Sequence, residues 1–271
     1  MKNILLTFLA TFMLMSCLSP IEGDETLGSA FPEKDLDIDV HTITPGSNKI
    51  VMINNTKGVG TFWDYIIGKS TRANDTILIP FLGTQTITFT GLSGGEPVVT
   101  TRDVEVERID FPLDEMWSLL AGDDPAGKTW VWATGNPYPN WAGVPGLFGN
   151  GGDYDDIPAW WVVSAEEMNT WGCLYDEMTF DLNKGANFTL VQKGENGTAA
   201  PTTVKDKFIL DTSKKTIKTA NNTPFLMSQD YCPPPYTIAK LTEDELTLIV
   251  PLPGENYIWM FKRKGYEYPK E

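Results

Sequence analysis

The chain is predicted to be all-β, with a small antiparallel sandwich followed by a larger antiparallel barrel or sandwich. Short segments that alternate polar with apolar residues, or are β-branched throughout, recur from Asp35 almost to the end, and a period of two is the mark of a strand. Gly, Asn and Pro separate them, leaving room for little helix beyond one turn at Ala165-Glu166-Glu167-Met168. The texture changes at Phe111-Pro112-Leu113-Asp114: of nine tryptophans, eight lie beyond it.

Residues 1–16 read as an export signal. Lys2 is followed by the 12-residue apolar segment Ile4 to Met15 and then by Ser16-Cys17, a run too short to span a bilayer. Leu14-Met15-Ser16-Cys17 resembles the lipobox of bacterial lipoproteins. The resemblance implies cleavage before Cys17 and acylation of that cysteine. The 255 residues left would carry a net charge of −16, against −15 for the whole chain. Such an excess of acid repels nucleic acid and anionic membrane surfaces, so lipid alone would hold the body at the bilayer. No later segment offers 18 consecutive apolar residues.

Residues 17–34 are expected to be a flexible tether, because they combine Pro20, Gly23, Gly28 and Pro32 with the acids Glu22, Asp24 and Glu25 and few large apolar residues. An acidic stretch after the cysteine resembles surface-export signals in lipoproteins of glycan-foraging Gram-negative bacteria. It implies an outer-membrane location facing the cell exterior.

Over 35–110, strands are expected at Lys49 to Asn54, Thr76 to Ile79, Thr84 to Thr90 and Asp103 to Arg108. Phe62-Trp63-Asp64-Tyr65 and Pro80-Phe81-Leu82-Gly83-Thr84 resemble the Trp-Asp core motif and the proline-to-Gly-Thr turn of PKD-type, Ig-like modules. Gln85 stands where that family has an aromatic residue. The resemblance implies a β-sandwich that serves as a spacer, with Trp63 in its core.

Over 111–271, strands are expected at Thr129 to Ala133, Trp160 to Val163, Glu177 to Asp181, Asn187 to Gln192, Lys207 to Asp211, Thr216 to Thr219, Tyr236 to Leu241, Glu245 to Val250 and Tyr257 to Lys262. Strand following tight turn following strand suits an up-and-down meander. Gly127 to Trp132, the Gly/Asn/Asp-rich Gly149 to Asp156, Pro158 to Trp161 and Leu174 to Phe180 follow one another as in a domain placed after PKD-like modules in bacterial surface lipoproteins. Phe208 to Asp211, Ile238 to Leu248 and Tyr257 to Arg263 resemble the closing strands of lipocalin-like lipoprotein domains. The resemblance implies glycan capture and uptake, with outer-membrane uptake proteins as partners.

The candidate site comes from the tryptophans. Trp130, Trp132, Trp141, Trp160, Trp161 and Trp171 fall within 42 residues. An indole offers a flat apolar face to a sugar ring and an N–H to a hydroxyl, the makeup of a wet sugar-binding cleft. Trp160 and Trp161 are adjacent and so point to opposite sides of a strand. The expected platform is Trp141 with one of that pair, plus the loop acids Asp153, Asp155 and Asp156. Trp130 and Trp132 share a strand face and are expected in the core. Asn150 to Asp156 has the oxygen-rich, Gly-containing makeup that calcium takes. It departs from the EF-hand spacing, which favours a solvated acidic turn, and no other metal or cofactor is expected. With Cys17 lipidated, Cys173 and Cys232 remain; a disulfide and two unpaired thiols stay open.

Enzyme signatures are missing. His41 is the single histidine, which removes a Ser/His/Asp triad or a multi-histidine metal site from the second unit. Carboxylate pairs such as Asp155-Asp156, Glu166-Glu167 and Asp176-Glu177 suit a glycosidase, but 36 acids produce such pairs by chance. The expected function is therefore non-catalytic capture of a polysaccharide or oligosaccharide at the cell surface. A lipocalin-like carrier of a small apolar ligand and a structural or adhesive surface protein are the alternatives.

Overall fold

The computed structural model describes residues 29–138, 146–151, 161–226, 234–252 and 255–270. Two all-β units follow one another, as expected. In the first, β1 (Ile38–Thr42), β2 (Lys49–Asn54) and β5 (Asn74–Leu78) form one antiparallel sheet, and β3 (Gly60–Asp64), β4 (Lys69–Ser70), β6 (Gly83–Leu92) and β7 (Val98–Val106) form another. Inward residues alternate along β2, β6 and β7; in β2, Ile50, Met52 and Asn54 are buried. Trp63 is fully buried, its ring 4.7 Å from Phe89, and its indole N–H donates to the Arg72 carbonyl. Gln85 is buried in the same core. Its amide donates to the Gly83 carbonyl, and its side-chain oxygen has no partner among the described residues.

Folded structure begins before the end of the tether expected over 17–34. Phe31 packs on the core and the Glu33 carboxylate accepts a hydrogen bond from the Thr100 hydroxyl at 2.6 Å. A long apolar ring and a satisfied acceptor tie down residues whose composition reads as linker. At the other end, the Asn48 side chain pairs with both the N–H and the carbonyl of Phe111, and Ser47 donates to Asp110. The junction at Phe111 is thus fastened to the first unit.

The second unit is a closed barrel, which decides between the barrel and the sandwich left open by sequence. A short helix, α1 (Met116–Ala121), leads into β8 (Lys128–Trp132). The chain then passes through β9 (Phe148–Gly151), β10 (Val162–Val163) and α2 (Ala165–Thr170). The meander β11 (Glu177–Asp181), β12 (Asn187–Gln192), β13 (Thr202–Asp211), β14 (Thr216–Thr219), β15 (Tyr236–Leu241), β16 (Glu245–Leu252) and β17 (Glu255–Arg263) follows, each strand antiparallel to the last. β17 returns to β8, with Phe261 opposite Trp132 and Arg263 opposite Trp130, while β8 also pairs with β11. Eight strands close the ring. β9 runs along the first half of β17 and carries β10 on its far edge. The Gly/Asn-rich composition of its Gly149-Asn150-Gly151 favours a loop; pairing with β17 makes it strand.

The bore is filled with aromatic rings. Trp117 of α1 meets Phe208 at 5.7 Å, and Phe208 meets Phe180 at 5.2 Å. Phe180, Phe188 and Phe225 touch one another at 5.2 to 5.6 Å. Phe225 then meets Tyr236 at 4.9 Å and Tyr236 meets Trp259 at 5.2 Å. Edge-on and tilted pairs of this kind add about 0.5–1.5 kcal/mol each beyond area burial. The expected core pair, Trp130 and Trp132, is fully buried, with indole N–H groups donating to the Leu120 and Cys173 carbonyls. α1 plugs one end: Leu120 and Ala121 are fully buried, and Lys128 donates to the Leu119 carbonyl. Among the described residues no helix is long and apolar enough to cross a membrane.

Candidate functional site: an aromatic platform on the barrel

The chain of rings continues past Trp259 to Phe148 at 6.5 Å. Phe148 opens β9 and is almost fully buried, yet it gathers three further rings. Tyr257 lies 4.9 Å away, Trp161 5.3 Å and Trp171 6.5 Å, at interplanar angles between 71° and 79°. Trp161 also meets Tyr257 at 6.0 Å. Neither indole lies flat on Phe148, and Trp161 and Trp171 remain 43% and 48% exposed. A buried phenyl therefore holds two indoles upright at the surface.

Local structure fixes both indoles. The Trp161 carbonyl accepts from the Asn150 N–H at 2.9 Å, joining it to β9. Trp171 caps α2, whose start is a capping box: the Ser164 hydroxyl accepts from the Glu167 N–H, and the Glu167 carboxylate accepts from the Ser164 N–H at 2.8 Å. The chain then turns through Gly172, at φ +74°, and Cys173 donates back to the Met168 carbonyl. Asn169 and Asn196 exchange hydrogen bonds of 2.9 and 2.8 Å, which anchor the turn around Glu195–Gly197 against this loop. Tyr175, 45% exposed, sits against Gly197 of that turn.

A buried carboxyl follows Tyr175 in the chain. Asp176 is 1% exposed and accepts from the Lys193 N–H at 2.8 Å; burial pushes its pKa up to about 6. Cys173 carries a free thiol, pushed up to about 12 by burial and by the charge of Asp176, so it is a poor nucleophile. Glu177 has a different environment: burial alone would raise its pKa, but ion pairs with Lys193 and Lys264 lower it. Glu167 is committed to the capping box. Asp176-Glu177 and Glu166-Glu167 are thus each split between a structural role and another surrounding, unlike two carboxyls facing one bond.

Of the residues named from sequence, Trp161 is on the platform. Trp141, Trp160, Asp153, Asp155 and Asp156 lie outside the described residues, as do Cys17 and Cys232. Among the described residues no group of three His, Cys, Asp or Glu side chains gathers as a metal site. The structure adds Trp171, Phe148 and Tyr257, with Tyr175 on the neighbouring turn. Tyr257 meets Trp161 only through the pairing of β9 with β17, which no local pattern announces. No family model matches the chain, and no curated protein is significantly similar to it.

Proposed function

We propose that this is a non-catalytic lipoprotein, anchored through Cys17 in the outer membrane and facing the exterior, which binds a polysaccharide or oligosaccharide and passes it to outer-membrane uptake proteins. The observation that carries the reading is the pair of half-exposed indoles, Trp161 and Trp171, both held on the buried ring of Phe148. Exposed aromatic rings on a rigid support offer large contact area at small entropic cost, and leaving two indoles in water calls for a partner. The PKD-like first unit would act as a spacer between anchor and platform. The net charge of −15 favours neutral glycans over sulfated or uronate chains. The carrier alternative needs an apolar cavity in the bore, where the rings from Phe208 to Trp259 are in mutual contact.

Affinity electrophoresis of the soluble body, residues 18–271, through gels containing a panel of neutral polysaccharides tests the reading. Retardation by at least one glycan, lost in Trp161→Ala and Trp171→Ala, is expected. Migration unaffected by every glycan would contradict it.

A further inference from the structure

A cleft of about 570 Å³ opens between the sandwich and the barrel. It lies beyond the end of β11, whereas Trp171 and Tyr175 precede the start of that strand, so it is distinct from the aromatic platform. Both units build it. Leu82 and Ile109 come from the sandwich side, Leu113 and Trp117 from the connection and α1, and Leu182 from the turn after β11. Small-molecule sites occupy roughly 300–1,000 Å³, are mostly apolar, and favour domain junctions. Leu82 and Ile109 are 46% and 43% exposed, so two large aliphatic side chains stay in water along one concavity. Gly83, at φ +100°, brings the sandwich close to the barrel: a Cβ there would lie 3.4 Å from the Lys184 side chain.

The rim is strongly one-sided. Among the described residues, Asp114, Glu115, Asp123 and Asp124 border the cleft, against Lys184 as the single cation of its lining. Asp114 and Asp124 each accept a backbone N–H, from Met116 and Ala126. Among the described residues none of the four carboxylates forms an ion pair. Carboxylates left unneutralised around an apolar recess complement a ligand that is apolar along its body and positive at one end.

We propose that this cleft is a second binding site, for a small amphiphilic cation: an apolar body seated against Leu82, Ile109, Leu113 and Leu182, and an amine held at the Glu115 and Asp123 rim. Titration calorimetry of the soluble two-unit chain with phenylbutylamine, phenylbutanol and phenylbutyrate tests it at low salt. The amine binds about fivefold tighter than the alcohol, and the acid binds weakest, in keeping with the modest worth of exposed charge pairs. Glu115→Gln with Asp123→Asn abolishes the preference for the amine while preserving binding of the alcohol. Leu82→Gln weakens all three, and Trp161→Ala changes none, which separates this site from glycan binding. Absence of amine binding, equal binding of amine and alcohol, or indifference to Leu82→Gln would overturn the proposal.

Discussion

The ring of Tyr175 rests on Gly197: a Cβ at position 197 would lie 3.0 Å from Tyr175 Cγ, and the glycine holds φ at +65°. Alanine there would meet the ring and adopt a left-handed conformation that costs about 1–2 kcal/mol. Gly197→Ala is therefore expected to lower the melting temperature of the barrel by a few degrees and to shift Tyr175. Thermal unfolding with tyrosine-selective NMR checks both, and an unmoved Tyr175 signal would contradict the contact.

Asp176 makes stability depend on pH in an unusual direction for a carboxyl. Its pKa of about 6 in the folded chain exceeds the roughly 3.9 of an unfolded aspartate, so between these values the folded state binds more protons. Its contribution therefore falls as pH rises from 4 to 6 and stays low above. Asp176→Asn keeps an oxygen for the Lys193 N–H. It should stabilise the barrel by about 2 kcal/mol at pH 7.5 and by little at pH 4. Urea denaturation at the two pH values measures this; equal effects at both would refute it.

Ser164→Ala removes one half of the capping box. A loss of about 1 kcal/mol is expected, and because Trp171 caps the other end of α2, its fluorescence should become more accessible to a quencher. Unchanged stability and quenching would show that α2 is held by its packing alone.

Phe180→Ala opens the ring chain where Phe208, Phe188 and Phe225 converge. A cost of about 3–5 kcal/mol is expected, confined to the barrel. Differential scanning calorimetry should show one transition displaced and the sandwich transition retained.

Alternation made much of this fold legible. Glu177 to Asp181, Asn187 to Gln192, Thr216 to Thr219 and Tyr236 to Leu241 carry the inward apolar set at every second position, and the strands have the boundaries read from sequence. Barrel and sandwich share that period, so closure was not legible; it rests on β17 meeting both β16 and β8. β9 was invisible because Gly149 and Gly151 bear no side chain to alternate. α1 escaped because six residues are too few to establish a helical period. At the platform, the sequence names Trp161 as a candidate and includes Trp171 only in the cluster of six indoles. Tyr257 reaches Phe148, 109 residues earlier in the chain, through the pairing of β17 with β9, which local pattern does not encode.

Glycan affinity at the rings held by Phe148 is the central claim, and calorimetry on three variants against the most strongly retarding polysaccharide tests it most directly. Trp161→Ala and Trp171→Ala should each weaken binding at least tenfold, while Val99→Ala, an exposed apolar residue on the sandwich, leaves it unchanged. Equal affinity in all three would contradict the assignment of the platform.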